Sequence, residues 1–212
     1  MEQIVKKILL LTLALLVVGP VHAVAEEPLQ AIKVPIERAI VILKDPQYQD
    51  PGKTEAQREK LWEIIREIFD FNLIAKRTVG RYHWRNSFSQ QQHKEFTNVF
   101  ARFLANNYLT RIRGTYDDIK VEYVGQEINA SKPIAKIKTK IIRKNGDVLI
   151  DYSLRMRNGT WKVYDVFAEG VSLVQNYQTQ IRGILSKESA AQLIDKLNAK
   201  VAEQSKQSAG SE

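Results

Sequence analysis

Two Asn-Gly dipeptides, Asn145-Gly146 and Asn158-Gly159, constrain this chain more than any other feature. Asn-Gly between alternating apolar runs is the strongest short hairpin signal, because both residues accept the positive φ of a type I′ turn. Residues 134–144, 147–157 and 160–168 therefore read as successive strands of an antiparallel meander, preceded by alternation at Ile119, Val121 and Tyr123. If both turns are two-residue loops, Ile141 meets Ile150, Thr139 meets Tyr152 and Ile137 meets Leu154. Across the second turn Met156 meets Trp161, Leu154 meets Val163, Tyr152 meets Asp165 and Ile150 meets Phe167. One face then collects Ile137, Thr139, Ile141, Ile150, Tyr152, Leu154, Met156, Trp161, Val163 and Phe167. The other collects Lys136, Lys138, Lys140, Asp151, Arg155, Arg157 and Lys162. A one-residue slip would mix the two sets, since side chains alternate strictly. Asp165 lands on the apolar face beside Tyr152, where a carboxyl needs hydrogen bonds, a cation or its proton.

The flanking segments have helical spacing. Residues 28–44 are apolar at Ile32, Ile36, Ile40 and Leu43, with Pro35 expected to kink or split them. A Pro- and Gly-containing loop (45–52) follows, and Thr54-x-x-Gln57 reads as a capping box opening a helix with Leu61, Ile64, Ile65 and Ile68 on one face. A short helix around 73–79 closes at Gly80, and RYHWRNSF (81–88) reads as an aromatic and basic loop. Ser89-x-x-Gln92 is a second capping box, opening the longest helix, to about Ile112. Its stripe is Phe96, Val99, Phe100, Phe103, Leu104, Tyr108 and Ile112. Glu169-Gly170 ends the last strand and frees the backbone to turn. Residues 171–185 (Val171, Val174, Tyr177, Ile181) and 187–203 (Leu193, Ile194, Leu197) then return to helical spacing. The tail 204–212 is expected to be disordered. Helices, then sheet, then helices describe one α+β domain over residues 26–203.

The N-terminus reads as an export signal. Lys6 and Lys7 precede the apolar run ILLLTLALLVVG, and Ala23-Val24-Ala25 supplies small residues for cleavage, giving a mature chain from residue 26. That run is short for a membrane span, which needs about 20 residues. The chain has no cysteine, which excludes thiol catalysis and thiolate metal sites, and His83 and His93 do not match zinc spacings. The net charge of +8 in an exported protein suits anionic lipid or an acidic partner rather than nucleic acid. No G-x-S-x-G elbow, phosphate loop or metal cluster is present, so no cofactor or metal is expected.

The stretches GRYHWRNSFSQQQHKEF (80–96) and WKVYDVFAEGVSLVQNYQTQIRGIL (161–185) resemble the MlaC-type periplasmic phospholipid-binding proteins, the toluene-tolerance auxiliary family. The most specific signatures are Gly80-Arg81-Tyr82-x-Trp84 and Trp161-x-x-Tyr164-Asp165-x-x-x-Glu169-Gly170-Val171-Ser172, and the resemblance spans essentially the whole mature chain. It implies a nuclear-transport-factor-like fold, with helices on a curved antiparallel sheet around an internal apolar cavity. It also implies a monomeric periplasmic carrier in a Gram-negative bacterium, moving phospholipid between an inner-membrane MCE-protein ABC transporter and an outer-membrane lipoprotein–porin complex. Such a carrier comes transiently close to membranes and maintains outer-membrane lipid asymmetry. The expected cavity lining is Phe96, Phe100, Phe103, Leu104, Tyr108, Ile137, Ile141, Ile150, Tyr152, Leu154, Met156, Val163, Phe167, Val171 and Val174. Arg81 is a candidate head-group contact, and Lys136, Lys138, Lys140, Arg155, Arg157 and Lys162 form a candidate single-sign docking face. Asp165, with Gly170, is expected to be a structural anchor, bonded to Tyr152, Thr139 or a backbone amide, or paired with Arg81. Three other readings stand beside this one: an acid–base enzyme using Asp165 and Tyr152, a hopanoid or other apolar-ligand carrier, and an adaptor using its basic face.

Overall fold

A computed structural model describes residues 27–48, 50–113, 120–144 and 146–210. The expected signal segment, Ile119, Asn145 and the side chain of Ile112 lie outside these residues. Helices α1 (Gln30–Lys44), α2 (Thr54–Ile68), α3 (Phe71–Val79), α4 (Arg81–Asn86) and α5 (Gln90–Arg113) come first. Strands β1 (Lys120–Ile128), β2 (Ile134–Ile142), β3 (Val148–Arg157), β4 (Thr160–Ala168) and β5 (Val171–Ser172) follow, then α6 (Leu173–Leu185) and α7 (Ala190–Gly210). The strands form one antiparallel sheet in sequence order.

Helix starts separate real caps from look-alikes. At Ser89 the box closes reciprocally: Gln92 N donates to Ser89 Oγ at 3.2 Å and Ser89 N to Gln92 Oε1 at 3.0 Å. Ser189 and Gln192 repeat the pattern ahead of α7. The Thr54 box does not form, because Lys53 occupies the N-cap and Gln57 is buried. The Gln57 Nε2 donates instead to Ile42 O at 3.0 Å, tying α2 to the end of α1. The segment 81–86, expected as loop, is helical, and α7 runs to Gly210, past the expected end of the domain.

The two Asn-Gly signals fare differently. Asn158 and Gly159 take φ of 51° and 79°, and Arg157 pairs with Thr160, as a type I′ hairpin requires. In the first hairpin Ile141 pairs with Val148, not Ile150, and Thr139 with Ile150, not Tyr152. Gly146 N bonds Arg143 O at 3.2 Å, so the tip sits one residue earlier. That moves every pair by two residues and leaves each side chain on its expected face, so the apolar pattern could not distinguish the registers. Local polar contacts do: Arg143 Nε donates to Gly146 O at 3.2 Å, and Lys140 pairs with Asp147 at 2.6 Å.

A bulge in β4 changes faces. Leu154 pairs with Val163 but Ser153 pairs with Asp165, which leaves Tyr164 as the extra residue. Beyond it Tyr152 meets Val166 and Asp151 meets Phe167. Asp165 and Phe167 therefore lie on the face opposite Tyr152, a correction to the expected register. Strand β4 then folds back through Glu169 (φ 49°) and Gly170 (φ 78°) into β5, with Ala168 paired to Val171. Glu169-Gly170 is thus a third tight hairpin, pinned by Leu149 N donating to Glu169 Oε1 at 2.7 Å.

Two principal apolar cores result. Ala31 and Ile32 of α1 cover Ala135, Ile137, Leu154, Trp161 and Val163 on the sheet. Phe96, Phe100 and Leu104 of α5 pack with Ile74 and Val79 of α3, Ile181 of α6 and Leu193 and Leu197 of α7. Phe69 touches both cores.

On the sheet core, burial pushes the Tyr123 phenol up to about 12, with the Glu37 carboxylate adding to it, and burial beside Tyr123 does the same to Tyr152. An unfolded tyrosine ionises near 10. Both raised values favour the neutral folded form, so their stabilisation is complete below about pH 10 and is lost as pH rises toward 12. The urea midpoint of the parent should fall steeply between about pH 10 and pH 12, and that of Tyr123→Phe/Tyr152→Phe should fall less. An equal fall in both proteins would contradict the assignment.

Candidate functional site

An open cleft of about 580 Å³ lies between α3, the end of β4, β5 and α6. Leu73, Phe167 and Val174 supply apolar surface. Lys76, Arg77, Gly80, Arg81, Asp165, Ser172, Gln175 and Gln178 supply the rest. The volume falls within the ordinary range of ligand pockets, ~300–1,000 Å³.

Each wall has a local cause. Asp70 caps α3, accepting from Leu73 N at 2.9 Å. Gly80, at φ 84°, ends α3 in a conformation that L side chains rarely adopt and turns the chain directly into α4. Lys76 and Arg77 thereby stand on the last turn of α3, with Arg81 opening α4 beside them. Gln178 Nε2 donates to Arg77 O at 2.8 Å, joining α6 to the end of α3. The Arg77 guanidinium lies 4.9 Å from the centre of the Tyr164 ring, the residue extruded by the bulge. Arg182 of α6 is near the same junction: a Cβ on Gly80 would be 3.9 Å from its Nη2.

Asp165 forms the inner end, only 4 % exposed. Its Oδ1 accepts from Val166 N at 2.9 Å and Val174 N at 3.1 Å, and its Oδ2 accepts from Ser172 Oγ at 2.7 Å. Ser172 Oγ in turn accepts from Gln175 N at 3.0 Å, capping α6. The buried carboxyl is satisfied by three donors and by the positive end of a helix. Its partners are the serine and backbone amides, not Tyr152 or Thr139. The Asp165–Tyr152 acid–base pair is not formed, because the bulge puts the two on opposite faces.

The expected lining residues divide among several places. Phe96, Phe100, Phe103, Leu104 and Val174 belong to the helical core. Ile137, Tyr152, Leu154, Met156 and Val163 belong to the sheet core under α1, and Ile141 and Ile150 are half-buried on that face. Tyr108 and Val171 are exposed. The phenylalanine stripe and the sheet's apolar face do not face each other: α3, α6 and α7 cover the first and α1 the second. The cleft gathers Phe167, Val174, Arg81 and Asp165 from the expected set.

The expected single-sign docking face carries acids as well. Lys136 pairs with Asp151 at 3.5 Å, Lys138 with Glu127, Lys140 with Asp147, and Arg157 with Asp70 at 3.7 Å. Lys162 Nζ donates to Glu67 O. Carboxylates arriving from β1, α3's cap and the hairpin loop offset the cations collected on the strands.

Two stretches that supply cleft residues carry unbalanced charge. Residues 71–94 hold Lys76, Arg77, Arg81, Arg85 and Lys94 and no aspartate or glutamate. Residues 170–187 hold Arg182 and Lys187 and again no acid. These seven cations compare with a net charge of +8 for the whole chain. The two acid-free stretches were a sequence signal for Lys76, Arg77 and Arg182, which the alternation of the strands does not reveal.

A family profile described as MlaC protein matches residues 34–199. The chain is 27 % identical over 127 residues to the intermembrane phospholipid transport system binding protein MlaC of Haemophilus influenzae. The match spans 58 % of each chain. Among solved structures, the fold is similar to a phospholipid-binding protein of Ralstonia solanacearum determined in complex with a phospholipid. There the TM-score is 0.75 and the identity 19 %, covering 85 % of this chain and 99 % of that one.

Asp165→Ala removes the acceptor shared by Ser172, Val166 and Val174, and should cost on the order of 3 kcal/mol in urea unfolding. Asp165→Asn, which keeps one acceptor oxygen, should cost less. An alanine variant as stable as the parent would overturn the anchoring role.

Proposed function

The chain belongs to the MlaC family, and from that membership we propose that it is a phospholipid carrier whose cleft is the entry to the lipid site. The carrying observation is a cationic, acid-free mouth over apolar side chains. Lys76, Arg77, Arg81 and Arg182 receive the phosphate, and the acyl chains run inward past Leu73, Phe167 and Val174 toward the seam at Phe69. Arginine and phosphate match in geometry and charge, and their hydrogen bonds are stronger than neutral ones. Removing two chains of roughly sixteen carbons from water involves on the order of 25 kcal/mol, at about 0.8 kcal/mol per methylene. A carrier must therefore offer a comparably apolar interior, and the two cores meeting at Phe69 supply it once the helices part along that seam. The cations favour a phosphate-bearing lipid over an uncharged hopanoid. Asp165, with both oxygens engaged by structural donors, is poorly placed as a general base.

The protein acts in the periplasm, after export by its N-terminal segment, between an inner-membrane MCE-protein ABC transporter and an outer-membrane lipoprotein–porin complex. The role named for the Haemophilus relative, intermembrane phospholipid transport, supports that setting.

Native mass spectrometry of protein purified without detergent tests the carrier reading. The parent should retain phospholipid, and Arg77→Glu/Arg81→Glu should lower its occupancy at least about tenfold, given roughly 1.5–3 kcal/mol per hydrogen bond to a charged group. An empty parent, or a double variant as fully loaded as the parent, would count against this function.

A further inference from the structure

Helix α4 presents an outward face of which the lipid cleft uses only Arg81. Arg81 and Arg85 are one turn apart, and Tyr82 is likewise one turn from Arg85, so Arg85 has both as neighbours and all three are exposed. Trp84 points away from Tyr82, stacked on His93 with ring centres 4.1 Å apart and packed on Phe88 and Phe96. His93 also bonds Trp84 O at 2.6 Å. The helix is thus held rigidly from behind while Arg81, Tyr82 and Arg85 face solvent. Tyr82 is 71 % exposed, the most exposed of the large hydrophobic residues described. Lys76 and Arg77, which line the cleft with Arg81, and Arg182, near Gly80, are exposed too, in the two acid-free stretches.

We propose that this face docks the carrier on an anionic bilayer surface, with Tyr82 as the interfacial residue and the cleft mouth turned toward the lipid. The proposal rests on the carrier reading and adds a partner to the same site. Each cation near an anionic surface contributes attraction, while an amphipathic aromatic ring settles at head-group level. Arg81 belongs to both features, lining the cleft and opening the exposed face, so docking brings the cleft's phosphate-binding cations to where phosphates are concentrated. An acidic protein surface would match the charges, but it gives an exposed tyrosine ring beside Arg85, in edge contact only with His83, no apolar layer to enter. No helix among the described residues is long and apolar enough to cross a membrane, and the contact proposed is a surface one.

The test is flotation of the full chain with vesicles of phosphatidylcholine alone and of a roughly three-to-one mixture with phosphatidylglycerol, at low and high salt. Lipid content of the same preparations is read by native mass spectrometry. The parent should bind the mixed vesicles, lose them as salt rises, and ignore phosphatidylcholine. Arg85→Gln, which does not line the cleft, should weaken binding about fivefold, the equivalent of about one surface cation. Tyr82→Ala should weaken it severalfold and Tyr82→Trp should restore it, with retained lipid unchanged in all three variants. A loaded parent that does not bind the mixed vesicles at low salt, or variants that bind as the parent does, would overturn the docking surface while leaving the carrier reading intact. Those are also the results expected if these residues serve only binding to a protein complex. An empty parent that still binds anionic vesicles through Tyr82 and Arg85 would reject the carrier reading and uphold the docking surface.

Discussion

The carboxyl of Asp165 is the point from which the site is built. It is buried, and a buried carboxyl without partners would cost several kcal/mol. Three donors converge on it: the amide of its neighbour Val166, the amide of Val174 and the hydroxyl of Ser172. They come from β4, from the first turn of α6 and from the residue that caps α6. A single side chain thereby joins the end of the sheet to the start of the helix packed beside it. The geometry requires the bulge at Tyr164, which turns Asp165 away from the apolar core, and the Glu169-Gly170 hairpin, which returns the chain within reach. Without these two irregularities Ser172 would lie at the far end of an extended strand.

The opposite wall of the cleft depends on equally few contacts. One glycine at positive φ connects α3 to α4, and Gln178 ties α6 to the last turn of α3. Lys76, Arg77 and Arg81 are therefore held close together, although like charges in proximity repel. Two conditions make this tolerable: the side chains open toward solvent, and Arg77 lies over the Tyr164 ring. The bulge residue thus supports a cation on one wall while its neighbour Asp165 builds the other. A phosphate entering between the cations would relieve their repulsion. An unliganded concentration of positive charge costs some stability, and that is consistent with a site shaped for an anion rather than for maximal stability of the empty fold.

The sheet's other cations show why a charge pattern along strands is a weak guide to a surface field. Alternation correctly put Lys136, Lys138, Lys140, Arg155, Arg157 and Lys162 on one side. Asp151 stands among them on β3, Glu127, Asp147 and Asp70 come to the same side from neighbouring segments, and the face becomes a set of ion pairs. Such pairs contribute little individually. The field that remains is set by where acids are missing, which is a property of the segments 71–94 and 170–187.

Local chemistry made much of this protein legible from its residues. The Asn158-Gly159 turn, the Ser89 cap, the helical stripe of α5 and the alternation of β2 and β3 each depend on neighbours a few positions away, and each appears in the fold. Gly80 and Gly170 stand at positive φ, and Asp165 is buried and hydrogen-bonded, but on the face opposite to the one its alternation gave. What required the tertiary structure were choices that local pattern leaves degenerate. A two-residue shift of the first hairpin keeps every side chain on its face, so only contacts at the tip could choose. A single bulge reverses the face of everything beyond it without altering the apolar alternation that precedes it. The assignment of covers, with α1 over the sheet and α6 and α7 over the phenylalanines, depends on which apolar surfaces meet in space. Hydrophobic attraction has no direction of its own. The sequence determined that two apolar surfaces, an antiparallel meander and an acid-free cationic region would exist; packing decided which of them came to face one another, and so where the cleft opened.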